Sequence, residues 1–145
     1  MIALASDHAG YDYKENLKKV LDELHLPYRD FGAPSPERSD YPDWGHAASE
    51  AVSKGECEFG IFICGTGIGM SIVANKHKGV RAAVCESVTS ARLARQHNNA
   101  NVLTIGERVT GWDAVVDIVK TFLGSSFEGG RHAQRVDKIH SLTKL

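Results

Sequence analysis

The sequence predicts an α/β fold, a five-stranded parallel sheet with helices on both faces. Three observations point there. Short apolar runs alternate with stretches of helical period along the chain. No hairpin turn signal joins one run directly to the next. The run Phe59–Cys64 is apolar apart from one glycine, as expected of a strand covered on both faces. Alternation of this kind is the βαβ pattern of an open, Rossmann-like sheet.

In order, Met1–Ser6 is a buried first strand that runs into the polar loop Ser6-Asp7-His8-Ala9-Gly10. From Tyr11 to Leu24, Leu17, Val20, Leu21 and Leu24 recur at helical spacing between charged residues, which predicts an amphipathic helix. Pro27–Phe31 is the second strand, and Gly32–Asp40 is a long irregular loop rich in proline and serine. A helix follows over Trp44–Lys54 with Asp43 as its N-cap. After Phe59–Cys64 come a glycine loop, a helix to about Asn75, a strand over Arg81–Cys85 and a helix over Ser87–His97. Asn98–Asn101 is a turn by composition, Val102–Ile105 the last strand, and Trp112–Leu123 a helix closed by Gly124 as C-cap. A final helix begins at Arg131 and runs to about His140. No repeat, linker or low-complexity tract divides residues 1–145, so one domain is expected.

Composition narrows the functional class. The chain has 145 residues, 42% hydrophobic and 24% charged, as in an ordinary globular protein. A net charge of -1 leaves no basic footprint for nucleic acid or an anionic membrane. The three cysteines, Cys57, Cys64 and Cys85, include no C-x-x-C pair. They suggest a reducing compartment rather than a disulfide framework. With no signal-peptide profile or membrane-length apolar run, cytoplasm is the expected location.

In open parallel sheets, ligands sit beyond the carboxyl ends of the strands. Those ends carry Asp7-His8, Cys64-Gly65-Thr66-Gly67, Glu86 and Gly106-Glu107-Arg108. Cys64 taken alone is a small buried hydrophobe. At a strand end, against a glycine loop and a helix start, it is a candidate thiolate in positive potential. The loop Gly65-Thr66-Gly67-Ile68-Gly69 has the look of a phosphate or oxyanion cradle. It is also a near-match to a dinucleotide fingerprint, with Glu86 as the ribose-binding acid, but the third glycine falls on Met70. Asp7 is either a helix cap or a site residue. Arg131 and Arg135, spaced i, i+4, are either a solvated stripe or a phosphate clamp. His97 is a helix C-terminal cation or an acid–base group. The remaining histidines show no ligand spacing with Cys, Asp or Glu, so no metal site is expected.

Taken together, Ser6–Gly10, Ser39–Pro42, Ile63–Ile72, Ala74–Lys76, Arg95–Asn98, Gly106–Val109 and Glu128–His132 resemble, in the same order, the ribose-5-phosphate isomerase type B family. That family also holds the galactose-6-phosphate isomerase subunits. The resemblance implies a three-layer α/β/α domain acting as a homodimer, sometimes a dimer of dimers, with sites shared between subunits. It implies Cys64 as the base moving a proton between C2 and C1, His97 as the ring-opening group, and no cofactor or metal. Asp7, His8, the loop Gly65, Thr66, Gly67, Ile68 and Gly69, and Asn98 would contact the sugar. Arg108, Arg131 and Arg135 would hold its phosphate. One branch of the family uses a loop glutamate as base; Met70 stands at that place here, and Gly65–Asn75 contains no carboxylate. Thr66 could shuttle a hydroxyl proton in the enediolate step. The implied substrates are ribose 5-phosphate and ribulose 5-phosphate, with allose 6-phosphate or galactose 6-phosphate as alternatives. A nucleotide-binding sensor domain is the alternative from another class.

Overall fold

The computed structural model describes residues 1–145. Five strands, β1 (Ile2–Ser6), β2 (Tyr28–Asp30), β3 (Phe59–Cys64), β4 (Ala82–Val84) and β5 (Val102–Gly106), form one sheet in the order β2-β1-β3-β5-β4. Every pairing is parallel, with Ile2 beside Phe59, Gly60 beside Val102 and Cys64 beside Gly106. The strands therefore start level at one edge of the sheet, and β2 and β4, three residues each, stop short of the other edge.

Side chains alternate across each strand, and so the sheet makes two cores. Leu4, Ile61, Ile63, Leu103 and Ile105 face one side. They pack there against α1 (Tyr11–Glu23), α4 (Val88–Asn98) and α5 (Trp112–Gly124). Ala3, Ala5, Phe62 and Cys64 face the other side, under α2 (Tyr41–Ser53) and α3 (Ile68–Ala74). This is the expected three-layer arrangement. Strand alternation also fixes which side Cys64 joins: it shares the face of Phe62, not of Ile63. The last helix, α6 (Arg131–Thr143), packs on α4 outside these layers.

Helix boundaries depart from expectation in instructive places. A 3₁₀ turn, His8–Gly10, precedes α1, with the Asp7 side chain accepting from the N–H groups of Ala9 and Gly10 at 2.9 and 3.2 Å. α2 starts at Tyr41, three residues before the expected Trp44, with Asp40 rather than Asp43 at the N-cap position. Pro42 fits the first turn because no N–H is needed there, and Asp43 becomes a first-turn acid facing the helix dipole. Gly124 is the last residue of α5, not its cap, and the chain leaves through an extended Ser125. The turn after α4 is made by Asn99 in the left-handed region, so Asn98 is still helical. α6 runs three residues past His140.

One polar cluster ties α1 to β2. The Lys14 side chain is fully buried and donates to Asp30 at 2.6 Å and Glu15 at 3.1 Å, while Lys18 bridges the same two carboxylates. A buried ammonium needs such partners, since an unpaired one is costly to desolvate.

Candidate active site

Cys64 ends β3 with only 4% of its surface exposed. The chain then turns through Gly67 in the left-handed region (φ 79°), and this swings the Gly67 N–H onto Cys64 Sγ at 3.1 Å. A side chain at Gly67 would be strained at that φ and would press on the Ile105 backbone at 3.0 Å. The turn after β5 clasps the loop, with the N–H groups of Glu107 and Arg108 donating to the carbonyls of Cys64 and Gly65 at 2.9 and 3.0 Å. Thr66 Oγ1 accepts from the Ile68 N–H at 3.2 Å. Two loop amides, those of Gly67 and Ile68, are therefore already used. The N–H groups of Gly65, Thr66 and Gly69 have no partner within the chain.

This loop floors a cleft of about 440 Å³ that Asp7, His8, Tyr41 and Arg108 also line. Asp7 keeps its capping role here as well as lining the cleft: Oδ1 is taken by the backbone and Oδ2 is not. His8 is oriented from the irregular loop, since the Ser39 N–H donates to its Nδ1 at 3.2 Å. The Arg108 guanidinium lies against Gly65, with Nη1 3.2 Å from where a Cβ would stand. Burial, with Asp12 and Asp7 as like-charged neighbours, pushes the Glu107 carboxyl up from its ordinary range. A larger apolar groove of about 490 Å³ lies between Leu24, Leu26, Phe59 and Leu123 and contains none of these groups. Glu86 is exposed and lines neither space.

The other expected site residues are elsewhere. α4 ends at Asn98, four residues before β5 begins at Val102, and so His97 and Asn98 sit at the amino edge of the sheet. Cys64 is level with Gly106 at the opposite edge, about 13 Å further along the strand. Arg131 and Arg135 begin α6 beside that amino edge, both exposed, and the His132 ring stacks on His97 at 4.3 Å. Within one chain the expected residues thus form two groups: Asp7, His8, Cys64 to Gly69 and Arg108 in the first, His97, Asn98, Arg131 and Arg135 in the second.

The second group corrects one expectation about histidines. His132 does have a carboxylate at ligand spacing, since Glu128 lies four residues before it and its Oε2 stands 3.6 Å from His132 Nε2. With His97 they make a three-residue cluster whose ligand atoms lie within 4.8 Å of one another. Burial, then the nearby His97, Arg131 and Arg135, hold His132 below the ordinary imidazole range, against the pull of Glu128. Sequence reasoning also passed over Tyr41, whose ring packs on Gly69. It missed Ser39 as the partner of His8 as well. The alternating glycines gave a signal for a close neighbour but not for which one.

A sequence profile of the Ribose/Galactose Isomerase family matches residues 2–139. The chain is 46% identical over 141 residues to ribose-5-phosphate isomerase B of Escherichia coli (strain K12), covering 97% of this chain and 95% of that one. It is 41% identical over 139 residues to D-erythrulose-4-phosphate isomerase of Pectobacterium atrosepticum, covering 95% and 91%. The solved structure of ribose-5-phosphate isomerase B from Clostridium thermocellum superposes with a TM-score of 0.97 at 50% identity, over 99% of this chain and 97% of that one.

Proposed function

The chain belongs to the ribose/galactose isomerase family, and from that membership we propose that it interconverts ribose 5-phosphate and ribulose 5-phosphate by proton transfer at Cys64. At the coarser level it is a sugar-phosphate isomerase, like the relatives it matches. The observation that carries the finer reading is the wiring of the glycine loop. It holds a thiol at the floor of a cleft, with free backbone N–H groups beside it and no carboxylate between Gly65 and Asn75.

Aldose–ketose isomerisation removes a weakly acidic proton next to a carbonyl and leaves an enediolate. It needs a base over that carbon and fixed donors where the oxygen charge develops. The Cys64 sulfur, already accepting the Gly67 N–H, is the base. The N–H groups of Gly65, Thr66 and Gly69 are the donors that remain. The Thr66 hydroxyl can pass a proton between O1 and O2. Asp7 and His8 contact the sugar hydroxyls, and Arg108 stands at the cleft for the phosphate.

The second group enters from another copy of the chain. His97, Asn98, Arg131 and Arg135 are too far along their own sheet to reach their own Cys64, and Arg131 and Arg135 are exposed. Ile68 and Ile72, one helical turn apart on α3 at the cleft, are 55% and 56% exposed, an apolar rim suited to a partner subunit. In a symmetric dimer each cleft would receive the amino-edge group of the other chain. His97 then opens the furanose ring and the arginines hold the phosphate. Being remote from the reacting carbons, phosphate binding serves to fix the substrate in reactive geometry.

Initial rates on ribose 5-phosphate, allose 6-phosphate, galactose 6-phosphate and erythrulose 4-phosphate test the substrate. The reading expects the highest kcat/KM on ribose 5-phosphate. Negligible turnover of that sugar beside efficient turnover of another would overturn the assignment while leaving the proton-transfer chemistry in place.

A further inference from the structure

The connector between α5 and α6 brings three metal-ligating side chains together. Gly129 and Gly130 take φ values of 67° and 56°, bending the chain so that Glu128 faces the first turn of α6. The Glu128 N–H donates to the Gln96 carbonyl at 3.0 Å and so fixes the same residue to the last turn of α4. His97, Glu128 and His132 converge from three separate elements with ligand atoms within 4.8 Å of one another. A second observation stands apart from that proximity. His132 is 6% exposed, and its Nε2 is buried without a hydrogen-bond partner. Buried ring nitrogens in folded chains are usually paired, and an orphan one asks for an explanation.

We propose that His97, Glu128 and His132 form a reversible site for a divalent transition cation of borderline softness, with zinc(II) the best match. Two imidazoles and one carboxylate suit zinc, cobalt or nickel, and are poorly matched to magnesium or calcium. The 3.6 Å between His132 Nε2 and Glu128 Oε2 is close to the separation of two ligands on a tetrahedral ion, about 3.4 Å for bonds of about 2.1 Å. His97 has to turn. Its ring lies within 11° of parallel to that of His132, and parallel rings cannot both aim a lone pair at one ion. The His97 ring makes no hydrogen bond, so turning breaks none, and the fourth position stays open to water. Arg131 and Arg135 begin the same helix and oppose a dication, which makes the site weak and exchangeable rather than structural.

The consequence for activity rests on the reading of His97 given above. A cation bound to its ring nitrogen withholds His97 from the sugar, so occupancy inhibits ring opening. Cobalt(II) titrated into the intact enzyme, followed by visible absorption, tests the site directly. The expected result is saturation at one cobalt per chain with no sulfur-to-cobalt charge-transfer band, unchanged in Cys64→Ser and displaced by zinc. Glu128→Gln and His132→Gln should both lose the signal. Glu128 is exposed, so its variant remains informative if the His132 variant fails to fold. No saturable band, a sulfur band, or undiminished binding by Glu128→Gln overturns the site. Loading with full turnover of the cyclic sugar would keep the site and remove His97 from ring opening, and so the two claims fail separately.

Discussion

At the carboxyl edge of the sheet, the groups around Cys64 are held by their own chain. The sulfur takes the Gly67 N–H, Asp7 caps its own turn, His8 is bonded to Ser39, and the turn after β5 clasps the loop carbonyls. At the amino edge, the side chains of His97, Arg131 and Arg135 make no hydrogen bond or ion pair, and the arginines are exposed. On the proposed function, the contrast separates two tasks. A base and its oxyanion donors must be placed before the substrate arrives, because rate depends on geometry held in advance. Groups that grip a phosphate can stay open until they meet it, and these can be lent across an interface.

Breaking the organised edge should cost most. Cys64→Ser is expected to lower kcat about a thousandfold with the fold unchanged, the scale of losing a positioned general base. Circular dichroism and initial rates check it, and near-normal turnover would take Cys64 out of the reaction. Gly67→Ala leaves every chemical group in place but strains the turn that aims the loop. A fall in kcat of about a hundredfold is expected, with little change in KM; unchanged kcat would mean that the loop need not be organised. At the open edge, Arg135→Ala should raise KM about tenfold and leave kcat nearly intact, because it removes binding common to ground and transition states. A selective loss of kcat would show that this edge is organised too.

A separate effect is on stability, away from both edges' chemistry. Burial works against the Asp30 carboxylate, but its hydrogen bonds from Lys14, Lys18 and the Gly32 N–H win and hold its pKa below the ordinary value. The stability this adds is fully present above the unfolded carboxylate pKa, about 3.9. It is lost as pH falls through the lower folded value. Asp30→Asn should cost about 2 kcal/mol near neutrality, less than for a fully buried pair because Glu15 stays with Lys14. The gap to the parent should narrow in acid. Urea unfolding at several pH values measures it, and a gap independent of pH would deny Asp30 this role.

The layers were readable in the sequence because strand runs such as Phe59–Cys64 and helices such as Tyr11–Leu24 carry their own periodicity. Helix starts were less so. Asp40 and Asp43 both precede apolar residues, and only the loop's path to His8 and Trp44 decides between them. The strand order, with β5 inside β4, follows from packing at long range that no local pattern records. His97 lies at the opposite edge from Cys64 for a simpler reason: α4 ends just before the parallel strand β5 begins, while Cys64 ends β3. The family resemblance implied sites shared between subunits without saying which residues one chain keeps together and which it keeps apart. The pairing of Glu128 with His132 escaped notice because Glu128 lies outside a helix, where i, i+4 spacing has no meaning until Gly129 and Gly130 fold it back.

Mixed dimers test the division of the site most directly. Cys64→Ser and His97→Ala chains, each nearly inactive alone, are to be co-refolded in equal amounts and assayed on ribose 5-phosphate. If each cleft draws one edge from each chain, random pairing makes half the dimers mixed, and each mixed dimer has one intact and one doubly broken site. Activity should then return to about a quarter of the parent's. Activity no higher than the average of the two variants, in a preparation shown to contain mixed dimers, would contradict the shared site.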